Sequence, residues 1–123
     1  MEIKVIDANN LILNKIVALG KKNAKTLGMF PEGAFIDHAK KRCIIAAIEK
    51  NILLGYVLFR ITQSKGIVTI AHLCVDLECR NEGIAKKLLD AVKNKYRHLF
   101  RGIALSCRKD YIEASRFYEK KWL

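Results

Sequence analysis

Leu73-Cys74-Val75-Asp76-Leu77-Glu78-Cys79-Arg80-Asn81-Glu82-Gly83-Ile84-Ala85 is the stretch that decides how this chain folds. It begins as an apolar strand and breaks at a run of charged residues. From Gly83 onward Ile84, Leu88, Leu89, Val92 and Tyr96 recur at helical spacing. The junction therefore joins a strand to a helix. A helix start presents unpaired backbone N–H groups and the positive end of a dipole. Gly83 permits a tight turn and a close approach of ligand to backbone, Ala85 keeps the next position small, and Arg80 adds a cation suited to phosphate. These features predict a phosphate or pyrophosphate site at Arg80, Asn81, Glu82, Gly83, Ile84 and Ala85. A glycine that serves the turn alone is the competing reading.

Outward from this junction the elements follow. Upstream, Ile67–Val75 reads as a strand, preceded by a turn at Ser64-Lys65-Gly66 and a long strand over Leu53–Thr62. Lys50-Asn51 forms the turn before that, and Cys43–Ile48 the strand leading into it. Short connections make these three strands an antiparallel meander. Nearer the N-terminus, a short strand at Ile3–Ile6 leads to a helix capped by Asn9 or Asn10, with Leu13, Ile16, Val17 and Leu19 on its apolar face. Gly28 closes that region. Pro31 starts a second helix reaching Lys41, with Glu32 near its positive end. Downstream, Gly102–Cys107 is a strand parallel to Ile67–Val75, and Ile112–Lys121 a short helix. The order β-α-α-β-β-β-α-β-α predicts an α+β (mixed α/β) fold with helices on both faces of a central mixed sheet.

With 123 residues, a single domain over 1–123 is expected. Hydrophobic residues make up 51% and charged residues 28%, a balance that suits a globular chain and not a disordered one. The net charge of +11 favours anionic partners, whether nucleic acid, an acidic membrane surface or a polyphosphate cofactor. The basic residues are scattered from Lys4 to Lys121, which equally suits a solvated surface. No apolar run is long enough to span a membrane, and charges at Glu2, Lys4 and Asp7 argue against a signal peptide. The four cysteines, Cys43, Cys74, Cys79 and Cys107, form no C-x-x-C pair and lie at no zinc spacing from a histidine. No metal site is expected, and reduced thiols in a cytoplasmic setting are. Cys74 and Cys107 sit in apolar strands, where core packing outweighs a nucleophilic role.

The same stretch resembles the acetyl-CoA signature of the GNAT superfamily of N-acetyltransferases: an apolar strand ending in valine, then Arg/Gln-x-x-Gly-x-Gly/Ala, then an amphipathic helix. Leu77 stands where the family commonly has proline. The likeness continues in Leu105-Ser106-Cys107-Arg108 and in Ala114-Ser115-Arg116-Phe117-Tyr118-Glu119-Lys120, and upstream in Leu54-Gly55-Tyr56-Val57. It covers about Cys43 to Leu123 and is specific over residues 73 to 118. The resemblance implies that acetyl-CoA is the acyl donor. Its pantetheine arm would lie against the backbone of Leu73, Cys74 and Val75, and its pyrophosphate would sit on N–H groups from Arg80 to Ala85. It also implies direct attack by a primary amine on the thioester, with an N–H of the strand steadying the oxyanion. Tyr118 matches the family tyrosine that protonates the leaving thiolate, against a competing role in the core beside Phe117.

The general base is left open. Thr69 and Ser106 occupy positions where relatives place glutamate, and His72 lies on the same strand with its face undecided by alternation. A structural role is the stronger reading for His72, and a water chain is the other route for the proton. Asp110 stands where relatives carry an asparagine that holds the cofactor arm, but a helix cap is the better reading. The family usually continues with Gly-Phe and a β-hairpin where Trp122-Leu123 stand here. A naturally short member, a trimmed chain, and one domain of a longer protein all fit. A homodimer or an additional C-terminal domain would then cover the open edge.

An N-acetyltransferase acting on a small-molecule or protein amine is therefore the leading expectation. Like-charge repulsion somewhat disfavours polyamine acceptors. A non-catalytic acyl-CoA-binding module is the alternative, and a basic nucleic-acid-binding domain ranks last because no recognition motif supports it.

Overall fold

The computed structural model describes residues 1–24, 30–62, 67–80, 82–97 and 102–105. In chain order these form β1 (Glu2–Val5), α1 (Leu13–Lys22), α2 (Glu32–Lys40), β2 (Ile44–Glu49), β3 (Ile52–Thr62), β4 (Ile67–Val75), a 3-10 turn (Leu77–Cys79), α3 (Ile84–Tyr96) and β5 (Gly102–Leu105). The five strands make one sheet in the order β1-β2-β3-β4-β5. The first four are antiparallel, and β5 is parallel to β4, with Ile67 to Ile70 opposite Gly102 to Leu105. The mixed α+β architecture expected from the sequence is the one found.

Local chemistry explains the boundaries. The Asn10 side chain accepts from the Ile12 N–H at 2.9 Å, forming a turn just ahead of α1 rather than a cap on it. Pro31, fixed near φ −62°, precedes α2. α2 ends with Arg42 at φ 57°, the Cys43 N–H donating to the His38 carbonyl (2.8 Å) and the Arg42 N–H to the Ala39 carbonyl (2.9 Å). This is a Schellman closure with arginine at the position that favours glycine. Lys50 (φ 50°) and Asn51 (φ 66°) form the two-residue β2–β3 turn, whose positive φ values match the twist of the flanking strands.

The sheet separates two apolar layers. On one face α1 and α2 bring Leu13, Ile16, Val17, Phe35 and Ala39 against Ile44, Ala46, Tyr56 and Leu58. On the other, α3 packs Ile84, Leu88, Leu89, Val92 and Tyr96 against Ile45, Val57, Phe59, Val68 and Ile70. Those five α3 residues are the five predicted from their spacing. The expected turn at Ser64-Lys65-Gly66, Gly28, and the C-terminal helix at Ile112–Lys121 lie outside the described residues.

One departure redirects a strand. Opposite β3, Phe59 pairs with Ile70 but Leu58 pairs with His72, so Ala71 is an extra residue in β4. Such a bulge reverses the alternation beyond it. Val68 and Ile70 face α3, whereas His72 and Cys74 face α1 and α2.

Candidate functional site

The second half of β4 and the start of α3 form the site. In an antiparallel ladder, facing residues alternate between pairs that exchange hydrogen bonds and pairs that do not. The Asp76 N–H donates to the Leu54 carbonyl at 2.8 Å, and the register runs on through Gly55↔Val75, Tyr56↔Cys74 and Val57↔Leu73. Cys74 therefore turns its backbone toward β3. Leu73 and Val75 turn theirs toward the β5 side, past Ile70, where the described β5 pairing ends. In agreement, the Val75 carbonyl accepts from Arg80 Nε at 3.2 Å instead of from β3. Gly55 makes this end of the sheet close-packed: a Cβ there would stand 2.7 Å from the Cys74 carbonyl oxygen.

After the 3-10 turn, Gly83 starts α3 at φ 77°, the left-handed region that glycine enters without a Cβ penalty. No side chain caps this helix start, and its first turn carries no acidic residue. The Gly83 carbonyl accepts from the Lys87 N–H at 3.1 Å. The N–H groups of Ile84, Ala85 and Lys86 precede that first bond and have no carbonyl within the helix to reach. Lys86 and Lys87 lie in this turn, where cations oppose the helix dipole and an anion complements both. A Cβ built at Gly83 meets nothing within 4 Å, so the helix start is open above it. Ile84 is buried while Glu82 and Gly83 are exposed, and Leu73, Val75 and Cys79 pack under α3. The residues present thus fit a polyphosphate group at α3 and an extended arm along Leu73 and Val75.

Arg80 is placed differently from a simple phosphate clamp. Its Nε holds the Val75 carbonyl, and its Nη2 donates to Asn23 Oδ1 at 3.3 Å, tying the end of β4 to the end of α1. Sequence reasoning missed this bracing role, because Asn23 lies far away in the chain.

His72 is buried by Phe30 (4.6 Å between ring centroids), Phe35 and Tyr56, and the Tyr56 hydroxyl lies 3.4 Å from its Nδ1. Burial, with the Arg60 and His38 charges adding to it, lowers its pKa to about 4. A neutral imidazole inside an aromatic box is a core residue in this fold, on the opposite side from α3. Tyr56 is also buried, which pushes its phenol well above the usual range. Burial likewise raises Cys74 to about 11, although Arg80 partly offsets this, so it is a protonated core thiol. Thr69 is half-buried on β4 opposite Arg60. Tyr118, Asn81, Ser106, Cys107, Asp110 and Phe117 lie outside the described residues. Beside the end of β4, a shallow cavity of about 340 Å³ is lined by Lys15, Leu19, Lys22, Leu53 and Asp76 among others.

A family model described as the acetyltransferase (GNAT) family matches residues 15–122. The chain belongs to the GNAT acetyltransferase family. No curated protein matches it in sequence. Among solved structures, the GNAT chain is similar to a ribosomal-protein-alanine N-acetyltransferase from Brucella melitensis biovar Abortus 2308. The TM-score is 0.79 at 19% identity, over 99% of this chain and 90% of that one. It is also similar to the diaminobutyrate acetyltransferase of Paenibacillus lautus, in complex with L-2,4-diaminobutyric acid and coenzyme A. There the TM-score is 0.85 at 14% identity, over 98% and 73%. A third is N-acetylglutamate synthase from Neisseria gonorrhoeae complexed with coenzyme A and N-acetyl-glutamate, at 0.79 and 15%, over 98% and 28%. At these identities the GNAT fold is what the likeness establishes. Among the described residues no cluster of side chains suits a metal ion, and no helix is long and apolar enough to cross a membrane.

Proposed function

We propose that this GNAT chain is an acetyl-CoA-dependent N-acetyltransferase that acts on a primary amine by direct attack. The observation that carries the reading is the uncapped start of α3, with left-handed Gly83, open space above it and two lysines in place of the usual acids. The acetyltransferases it resembles in structure include one in complex with its amine substrate and coenzyme A.

Acetyl-CoA would supply an activated thioester. The N–H groups of Gly83, Ile84 and Ala85, with those of Arg80, Asn81 and Glu82, would bind the pyrophosphate. The outward backbone groups of Leu73 and Val75 would bind the pantetheine arm and align it along β4 beside Cys74. The Val75 N–H is suited to steady negative charge developing on the carbonyl oxygen under attack. Holding amine and thioester together supplies much of the rate, and no acyl-enzyme is required. Tyr118 would donate the proton to the departing thiolate. The place of His72 in the aromatic box, on the side of the sheet away from α3, supports a water chain as the route for the amine proton.

Calorimetric titration of the chain with acetyl-CoA tests the binding step. Micromolar affinity is expected, and Gly83→Asp should abolish it, since a carboxylate there repels phosphate and resists the backbone conformation. With an amine panel and thiol release as readout, Tyr118→Phe should lower kcat by about 10²-fold or more while leaving cofactor affinity unchanged. Binding without turnover on any amine would favour the non-catalytic acyl-CoA module. No binding by the folded chain would refute the cofactor reading.

A further inference from the structure

β1 is the edge strand opposite β5 among the described residues, and all four of its residues are exposed. Edge strands are usually blunted by a bulge, by shortness or by charged side chains. β1 is short and carries Glu2 and Lys4, whose opposite charges deter most partners but suit a copy of itself. β1 has an unbroken register with β2: Glu2↔Ile48, Ile3↔Ala47, Lys4↔Ala46 and Val5↔Ile45. The Ile6 N–H donates to the Ile44 carbonyl at 2.9 Å, which sets the alternation. Glu2 and Lys4 exchange their backbone bonds with β2, and Ile3 and Val5 direct theirs outward. On the α3 side of the sheet, Ile3 (37% exposed) and Val5 (38%), opposite Ala47 and Ile45, form an apolar strip at the margin. Glu2 and Lys4 lie on the other face.

We propose that β1 pairs antiparallel with β1 of a second copy of this chain, about a two-fold axis through Ile3, to make a continuous sheet across a homodimer. The sequence Met1-Glu2-Ile3-Lys4-Val5 is self-complementary in this arrangement. Outward-pointing backbone must meet outward-pointing backbone, so only registers that oppose odd-numbered residues satisfy the edge. Centring on Ile3 sets Ile3 against Ile3, Met1 against Val5, and Glu2 against Lys4 of the second copy. The Glu2–Lys4 pairs then fall at the non-hydrogen-bonded positions, where facing side chains come closest. A shift toward the N-terminus would set Glu2 against Glu2, and a shift the other way Lys4 against Lys4. Charge therefore selects one register. The two apolar strips merge on the α3 side, and both candidate acetyl-CoA sites stay clear at the far side of each sheet. An interface of one short strand and a narrow strip belongs with reversible dimers rather than obligate ones.

Sedimentation equilibrium on the full chain tests this directly. The wild type should show a concentration-dependent dimer. Glu2→Lys or Lys4→Glu, each at an exposed position, should raise its dissociation constant about tenfold or more, because symmetry places two like-charge pairs across the axis. Mixing the two single variants should form a heterodimer as tight as wild type, and the double variant E2K/K4E should dimerise again. A wild type that stays monomeric at the highest concentration reached would overturn the proposal. So would a dimer indifferent to either charge reversal, or single variants that mixing does not restore. Acetyl-CoA affinity, measured in parallel, is expected to be unchanged in every variant.

Discussion

His72 and Gly83 show how much one residue's surroundings decide. The His72 imidazole is held neutral by burial, with a pKa of about 4 against 6.5 for the free side chain. Because the unfolded chain takes up that proton first, the contribution of His72 to stability is complete above pH 6.5. It is lost as the pH falls from there to about 4, and changes no further below that. The loss amounts to about 3 kcal/mol. Urea denaturation at pH 7, 5 and 4 should show this fall in the wild type and a shallower one in His72→Asn, which carries no titrating group. Gly83 acts through its backbone alone: nothing lies near its missing Cβ, yet any other residue would be strained at φ 77°. Cys74, read from the sequence as a core residue rather than a nucleophile, lies in the α1–α2 layer, where burial keeps it a thiol although Arg80 partly offsets this.

At the scale of elements, the turns are made partly by residues that do not favour them. Arg42 closes α2 at φ 57°, and only its backbone takes part in the two closing hydrogen bonds. Its carbonyl also accepts from Lys95 Nζ at 3.2 Å, a contact that glycine would preserve. Arg42→Gly is therefore expected to stabilise the fold by about 0.5–1 kcal/mol, read as a rise in the denaturation midpoint at constant slope. The bulge at Ala71 is the most consequential single irregularity, since it gives β4 two differently facing halves. Its first half packs under α3 through Val68 and Ile70. Beyond it, Leu73 and Val75 take over the α3 side and direct their backbone groups toward β5.

Across the whole molecule, the charge of +11 and the position of the uncapped helix act together. Coenzyme A carries several phosphate charges, so part of its attraction is long-range and screened by salt. The dissociation constant for acetyl-CoA should rise severalfold between roughly 50 and 500 mM sodium chloride. That for a neutral pantetheine fragment should hardly move. Titration calorimetry across that range measures both. Equal salt dependence for the two would show that the basic surface has no part in cofactor capture.

Much of this protein is legible in its sequence because the decisive signals are local. The apolar run of Ile67–Val75, the helical spacing from Ile84 to Tyr96 and the Arg80-to-Ala85 junction each depend on residues within a few positions of one another. Backbone sterics and one-sided burial convert such patterns directly into strands, helices and an anion-ready helix start. What the tertiary structure alone decided depends on contacts between distant segments. The side of the sheet that His72 occupies turned on an extra residue at Ala71, visible only against the register of β3. Arg80 became a brace because Asn23 and the Val75 carbonyl lie within its reach. The free edge of β1 exists because β2 pairs on one side of it alone among the described strands. Register, facing and edge are properties of pairs of segments, and no single stretch of chain carries the information that sets them.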